Sequence, residues 1–319
     1  MSSLPIYIHF VVLALAIGGL VWSADLFVDG AAAIARNMGL SPLIIGLTVV
    51  SFGTSAPEIL VSASAAAAGT PSLAVGNALG SNLANMGLVL AITALIFPIK
   101  IDSRIAHKEV PIMVVVTLIA GWVLWNGYLG RLESLVLASL LFFYMTYLVK
   151  TASEHPVDPT IKVQKAPWSR AVIITLSGLA LLLVASNVLV WSATSVASHF
   201  GVSDLIIGIT IVAVGTSLPE LAASVAGAIK GHSEMAIGNV IGSNVFNLTA
   251  VLPVAGLVRP GAIEGANFWM DFGPVLLISV LLSAICIHHT SGNHSGTLGR
   301  AAAGLMLLLY IGYYGLLIL

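Results

Sequence analysis

Two carboxylates stand in stretches that are otherwise apolar. Glu58 lies in GTSAPEILVS, residues 53–62, and Glu220 in GTSLPELAAS, residues 215–224. Each directly follows a proline, Pro57 or Pro219. Proline has no N–H to bond the carbonyl four residues back, at Gly53 or Gly215, and its ring pushes that turn apart. Carbonyl oxygens near Thr54 and Thr216 are therefore expected to lack partners. At membrane depth such backbone is tolerated only when buried in protein or lining a watered cavity, and an ion can be the missing partner. A carboxylate at mid-bilayer is costly unless paired or protonated, so it usually serves a function. No lysine or arginine lies within either pair of spans that carry these motifs, which leaves a bound cation or a proton as the compensating charge. A glutamate kept permanently protonated gives no reason for the duplicate.

Each motif is followed by a second polar stripe, GNALGSNLAN at 76–85 and GNVIGSNVFN at 238–247. Helical spacing puts Asn77, Ser81 and Asn85 on one face, and Asn239, Ser243 and Asn247 on another. Gly76 with Gly80, and Gly238 with Gly242, are small pairs that let helices approach closely. Asn77, Asn82, Asn239 and Asn244 read best as polar glue between helices. Ser81, Asn85, Ser243 and Asn247 read as further ligands facing the glutamates. The inventory is carboxylate, hydroxyl, amide and carbonyl, with no thiol and no histidine in the motif helices. Hard cations such as Na⁺ and Ca²⁺ match it; zinc and copper do not. Two glutamates balance one Ca²⁺ or two Na⁺, so the ions would compete for one site.

The elements that must position these groups are membrane helices. The 319-residue chain is 58% hydrophobic and 8% charged, more apolar than one water-soluble core could hide. Its net charge of −1 suggests no nucleic-acid partner, and its single cysteine, Cys286, excludes an internal disulfide framework. Ten spans are predicted, near 6–35, 42–67, 72–97, 108–126, 131–150, 168–199, 204–229, 234–258, 268–288 and 298–318. The first, apolar from about Leu4 to Ala24, lacks the basic flank of a signal peptide and reads as a membrane helix, not a cleaved segment. Residues 1–150 and 168–319 form two five-helix halves, and TASEHPVDPTIKVQKAP, 151–167, reads as a cytoplasmic linker.

Residues 41–96 align with 203–258 at a constant offset of 162 without a gap, and 25 of the 56 pairs are identical. Because each half holds an odd number of spans, the second copy crosses in the opposite sense. That is the inverted-repeat plan of secondary transporters, whose broken helices meet near the bilayer midplane. With both termini outside, Arg36, Lys100, Arg104, Lys108, Lys150, Lys162, Lys165, Arg170, Lys230 and Arg300 fall inside, and only Arg131 and Arg259 fall outside. Positive charge collects on the cytoplasmic side of short loops, so the count favours this orientation.

GTSAPE and GTSLPE, each followed by GN-x-x-GSN, resemble the two alpha repeats of the sodium/calcium exchanger family, within the cation/calcium exchanger superfamily. The resemblance spans the whole ten-helix plan and is to the prokaryotic type. It implies an all-α membrane protein with proline-broken helices 2 and 7 at its core, in a prokaryotic plasma membrane. It implies antiport of Na⁺ against Ca²⁺ by alternating access, commonly three Na⁺ for one Ca²⁺ and therefore electrogenic. The two ions are substrates; no cofactor and no obligate protein partner is expected. The resemblance assigns ion binding to Glu58 and Glu220, to carbonyls and hydroxyls of Thr54 and Thr216, with Ser55, Ser217 and the backbone at Ser51 and Ala213. The serines of the following helices match Ser81 and Ser243. Potassium-dependent relatives carry aspartate where this chain has Asn247, so no potassium requirement is expected. The calcium-binding regulatory insert of animal exchangers is absent, since 151–167 is too short for it.

A Ca²⁺/H⁺ exchanger, or one for another divalent cation, is the alternative; such relatives more often carry asparagine where GTS-x-PE has serine. A cation channel fits broken inverted repeats less well. An intramembrane hydrolase fails on inventory, with no H-E-x-x-H and no G-x-S-x-G. Asp25 and Asp29 align with Asn187 and Trp191, so the symmetry fails there; pairing with nearby basic groups or with water at the helix end is expected over guiding cations into the inner vestibule. His288, His289 and His294 read as a solvated loop, and Trp122, Trp125, Trp168 and Trp269 as interfacial anchors.

Overall fold

The computed structural model describes residues 5–152, 166–202, 207, 211, 213–263, 268–290 and 295–318. These residues are helical apart from four short strands. Eight helices are long and apolar enough to cross a membrane: α1 (Ile6–Met38), α4 (Pro71–Ile96), α5 (Ile105–Leu124), α6 (Arg131–Thr151), α7 (Trp168–His199), α10 (Ser233–Val258), α11 (Phe268–His289) and α12 (Arg300–Ile318). A ninth span is the pair α2 (Pro42–Thr54) and α3 (Ala56–Ala67), bent by 41° at Ser55. Its counterpart in the second half is described only as α8 (Ala213–Thr216) and α9 (Leu218–Ile229). Most of the chain leading into α8 lies outside the described residues, as do most of the 151–167 segment and His294.

The repeat in the sequence is also a repeat in the backbone. Gly39 after α1 and Gly201 after α7 take left-handed φ of 69° and 77°, and Gly69 and Gly231 take 92° and 81° at the two hairpins after the glutamate helices. Only glycine enters that region without strain, so the same turn chemistry closes both copies. Ser41 opens α2, its hydroxyl accepting from Ile44 N, with Pro42 in the first turn. Ser55 (φ −83°, ψ 2°) and Ser217 (φ −89°, ψ 4°) leave helical geometry at equivalent positions. Pro57 and Pro219 then sit in the first turn of α3 and α9, where a missing N–H costs nothing.

Packing brings the halves together. At Gly30 of α1 and Gly178 of α7, a Cβ would meet the other helix's backbone at 2.5 Å, so these two long helices touch main chain to main chain. Gly238 and Gly242 of α10 serve α2 in the same way: a Cβ would lie 2.8 Å from Leu43 O and 2.5 Å from Ser51 Oγ. Their equivalents Gly76 and Gly80 line a cavity of about 280 Å³, and the residues equivalent to Leu43 and Leu47 lie outside the described residues. Two antiparallel strand pairs join the halves: β1 (Ile99–Ile101) with β4 (Gly296–Leu298), and β2 (Tyr128–Leu129) with β3 (Gly261–Ala262). Trp122, Trp125, Trp168 and Trp269 are all exposed, in keeping with anchoring roles.

Candidate functional site

The break at Ser55 turns α3 so that Glu58 enters the protein in its first turn, and the break at Ser217 does the same for Glu220. Both glutamates are completely buried. Among the described residues neither oxygen of Glu58 finds a hydrogen-bond partner, and Glu220 Oε2 finds none. The two belong to one electrostatic site, since Glu220 is the neighbouring charge that acts on Glu58. Glu220 Oε1 accepts a hydrogen bond from Ser55 Oγ at 3.4 Å, which carries the first repeat's kink to the second repeat's carboxylate.

A brace holds the backbone of each glutamate. Asn77 Nδ2 donates to Glu58 O at 3.2 Å and to Ser62 Oγ at 3.0 Å. Asn239 Nδ2 donates to Glu220 O at 3.3 Å and to Ser224 Oγ at 3.0 Å. Asn239 also crosses between repeats, since its Oδ1 accepts from Thr54 Oγ1 at 3.2 Å. Asn82 Nδ2 donates to Asn244 O at 3.1 Å, linking two equivalent positions of the two copies. These four asparagines are thus the helix-joining residues expected of them.

The remaining expected ligands divide by what the structure places. Ser51, Thr54, Ser55, Ser81, Asn85, Ser217, Ser243 and Asn247 are all buried. Ser51 Oγ turns back to Thr48 O at 3.2 Å, and Thr54 Oγ1 also reaches Ser51 O at 3.4 Å. Thr216 is half-buried, and Ala213 begins α8, its side chain lying outside what is described. Both side-chain polar atoms of Asn85 and of Asn247, and the hydroxyls of Ser217 and Ser243, find no hydrogen-bond partner among the described residues. Buried polar atoms are nearly always satisfied, so this set of unpartnered atoms on the helices that carry and follow the two glutamates is unusual. The acceptors among them are all oxygen, the ligand type that suits hard cations. Among the described residues no three His, Cys, Asp or Glu side chains converge.

One feature has almost no signal in the sequence. Asn85 and Asn247 each open a π-helical stretch, Asn85–Leu90 and Asn247–Val251. A π turn widens the helix by one residue and rotates the facing of the next turns, and such turns gather at functional sites. Their only trace in the sequence is the pair of equivalent asparagines. Away from the site, buried Arg104 donates through Nε to Glu109 Oε1 at 2.9 Å and through Nη2 to Thr151 at 3.0 Å, tying α5 to α6. In the sequence Arg104 reads only as an interfacial charge.

Known proteins share this plan. The family described as "Sodium/calcium exchanger protein" matches residues 8–150 and 170–319, one match for each half. The chain belongs to the sodium/calcium exchanger family. It is 43% identical over 305 residues to the proposed antiporter CaxA of Alkalimonas amylolytica, covering 93% of this chain and 95% of the relative. It is 40% identical over 275 residues to the inner membrane protein YrbG of Escherichia coli (strain K12), covering 83% and 85%. The solved structure of the sodium-calcium exchanger NCX_Mj, soaked with zero Na⁺ and Ca²⁺, matches with a TM-score of 0.85 at 30% identity, over 98% of this chain and 100% of that one. Family and fold are those of an exchanger and not of an enzyme.

Proposed function

We propose that this exchanger-family protein is a secondary active antiporter that moves Ca²⁺ against Na⁺ at one site shared by Glu58 and Glu220. The observation that carries the reading is the pair of buried carboxylates, Glu58 and Glu220, with unpartnered oxygens, accompanied at equivalent positions of the two repeats by the unpartnered amides of Asn85 and Asn247. Two negative charges neutralise one Ca²⁺ or two Na⁺, so either load removes the cost of the buried carboxylates, and an unloaded site resists crossing. Occupancy by one ion excludes the other, which is what couples their movements.

The finer reading has ten spans in two inverted halves, 1–150 and 168–319, joined by a cytoplasmic linker at 151–167, with both termini outside a prokaryotic plasma membrane. The bend at Ser55 and its equivalent at Ser217 support proline-broken helices 2 and 7. The proposed ligands are Glu58 and Glu220, the kink groups at Ser51, Thr54, Ser55, Ala213, Thr216 and Ser217, and Ser81, Asn85, Ser243 and Asn247 from α4 and α10. With asparagine at 247, the cycle runs without potassium. A third Na⁺ per Ca²⁺ would make transport electrogenic.

The test is Ca²⁺ uptake into reconstituted vesicles under an outward Na⁺ gradient, repeated under a pH gradient alone. Uptake is expected only in the first case and is lost in Glu58→Gln. Equal uptake driven by protons would establish the Ca²⁺/H⁺ alternative, and full activity in the variant would remove the site assignment.

A further inference from the structure

The two repeats are not equally packed at their ends, and the difference centres on an ion cluster that only one of them can make. Lys230, just past the end of α9, places its Nζ 2.7 Å from Asp29 Oδ1 and 3.6 Å from Asp25 Oδ1, both on α1. The same ammonium donates to Asp25 O at 3.2 Å. One lysine thus fastens a turn of α1 to the repeat that carries Glu220. The positions related by the 162-residue offset are Ala68, Asn187 and Trp191, which hold no charge.

The surrounding packing has the same division. α1 lies along α9, whereas the equivalent contact of α7 with α3 is slight. At this end of the molecule α10 is locked onto α2 through Gly238 and Gly242. Toward the other end, Gly76 and Gly80 instead form the wall of a cavity. The end at Lys230 is therefore held by ions, while the offset-related positions at the other end carry no charge to form an equivalent pair.

Resting on the antiport reading above, we propose that Asp29 and Lys230, assisted by Asp25, form a one-sided latch that favours the conformation closed at the cytoplasmic end. In a transporter built from two copies of one unit, switching sides exchanges the environments of the copies. The close packing of α1 on α9 then passes to α7 on α3, where Asn187, Trp191 and Ala68 cannot replace the lost ion pair. The latch exists in one state only, so it biases the equilibrium between states without touching a transported ion. An ion facing a binding-competent state that is fractionally populated binds with its affinity reduced by that fraction. Favouring the outward-facing state accordingly strengthens apparent Ca²⁺ affinity outside and weakens it inside.

The test uses the full-length protein in oriented vesicles, with the Ca²⁺ concentration for half-maximal Na⁺-driven exchange measured separately at each face. Lys230→Gln and Asp29→Asn are expected to raise that concentration outside and lower it inside, the ratio of the two changing by roughly two- to fivefold for a partly exposed pair. The double exchange Asp29→Lys with Lys230→Asp should restore the original asymmetry. Choline chloride at about 1 M, which screens exposed charges without supplying a substrate, should mimic the single variants. A change in the same direction at both faces, or none, overturns the latch while leaving antiport intact. Absence of Na⁺-driven Ca²⁺ transport in the unaltered protein overturns the underlying reading and the latch with it. Thermal melts of the variants identify any that simply fail to fold.

Discussion

Ser55 of the first repeat donates its hydroxyl to the carboxylate of Glu220 in the second, at 3.4 Å. The bond is long but directed at a buried charge, and it leaves Glu220 Oε2 free for a cation. Ser55→Ala should therefore weaken Ca²⁺ binding without abolishing it. The expected loss is about 1 kcal/mol, roughly fivefold in the half-saturating Ca²⁺ concentration. Calcium titration of Na⁺-driven exchange checks it, with maximal rate little changed.

Asn239 carries more structure than its counterpart Asn77, because it bonds Glu220 O, Ser224 and Thr54 while fully buried, whereas Asn77 is half-buried. Asn239→Leu leaves those groups without partners, at a cost of about 1–3 kcal/mol for each buried polar group so exposed. Asn77→Leu should cost less. Thermal melting in one detergent ranks the two, and a larger drop for Asn77→Leu would contradict the asymmetry.

Gly242 should respond to a single added methyl group. A Cβ at Gly242 would lie 2.5 Å from Ser51 Oγ and 2.8 Å from Leu47 O, so Gly242→Ala must push α10 off α2. Overpacking of this kind costs about 1–3 kcal/mol, and here it also displaces Ser51.

His232, half-buried in the turn between α9 and α10, gives a pH signature. Burial holds its imidazole below the ordinary value, with Lys230 pushing the same way and Asp29 opposing. The fold thus favours the neutral ring. Its contribution to stability is complete above the unfolded pKa of about 6.5 and is lost as pH falls toward the lowered folded value. Melting temperature should decline between about pH 6.5 and 5 by less in His232→Asn than in the unaltered protein.

If three Na⁺ leave for each Ca²⁺ taken up, one positive charge leaves the vesicle per cycle. A potential of about 100 mV, inside positive, then adds about 2.3 kcal/mol to uptake. The limiting Ca²⁺ ratio should rise roughly fiftyfold. Potential clamped with potassium and valinomycin supplies the measurement, and indifference to voltage would mean two Na⁺ per Ca²⁺.

The sequence is most informative where a residue type has a single physical meaning in lipid. Glycines 162 residues apart mark the turns that close each copy. Asp25 and Asp29, read as partners for a basic group, meet Lys230. The close approach of Gly238 and Gly242 to α2 is not legible from their spacing alone, since Gly76 and Gly80 share that spacing and line a cavity. The π turns at Asn85 and Asn247 are also hidden, since one extra residue in a helical turn leaves apolar periodicity almost unchanged. The Arg104–Glu109 pair escapes notice because charges five apart at a helix start resemble ordinary interfacial residues.

The two strand pairs set a mechanical limit. β1 and β2 flank α5 at its opposite ends, and their partners β4 and β3 belong to the other half, so the halves are stitched together at both faces. Lobes fastened in this way cannot rock apart like the two jaws of a clamp. Access to the carboxylates must come from elements outside the stitching. Among the described residues the long pair α1 and α7 has no such fastening, which makes it the natural shuttle against a fixed frame.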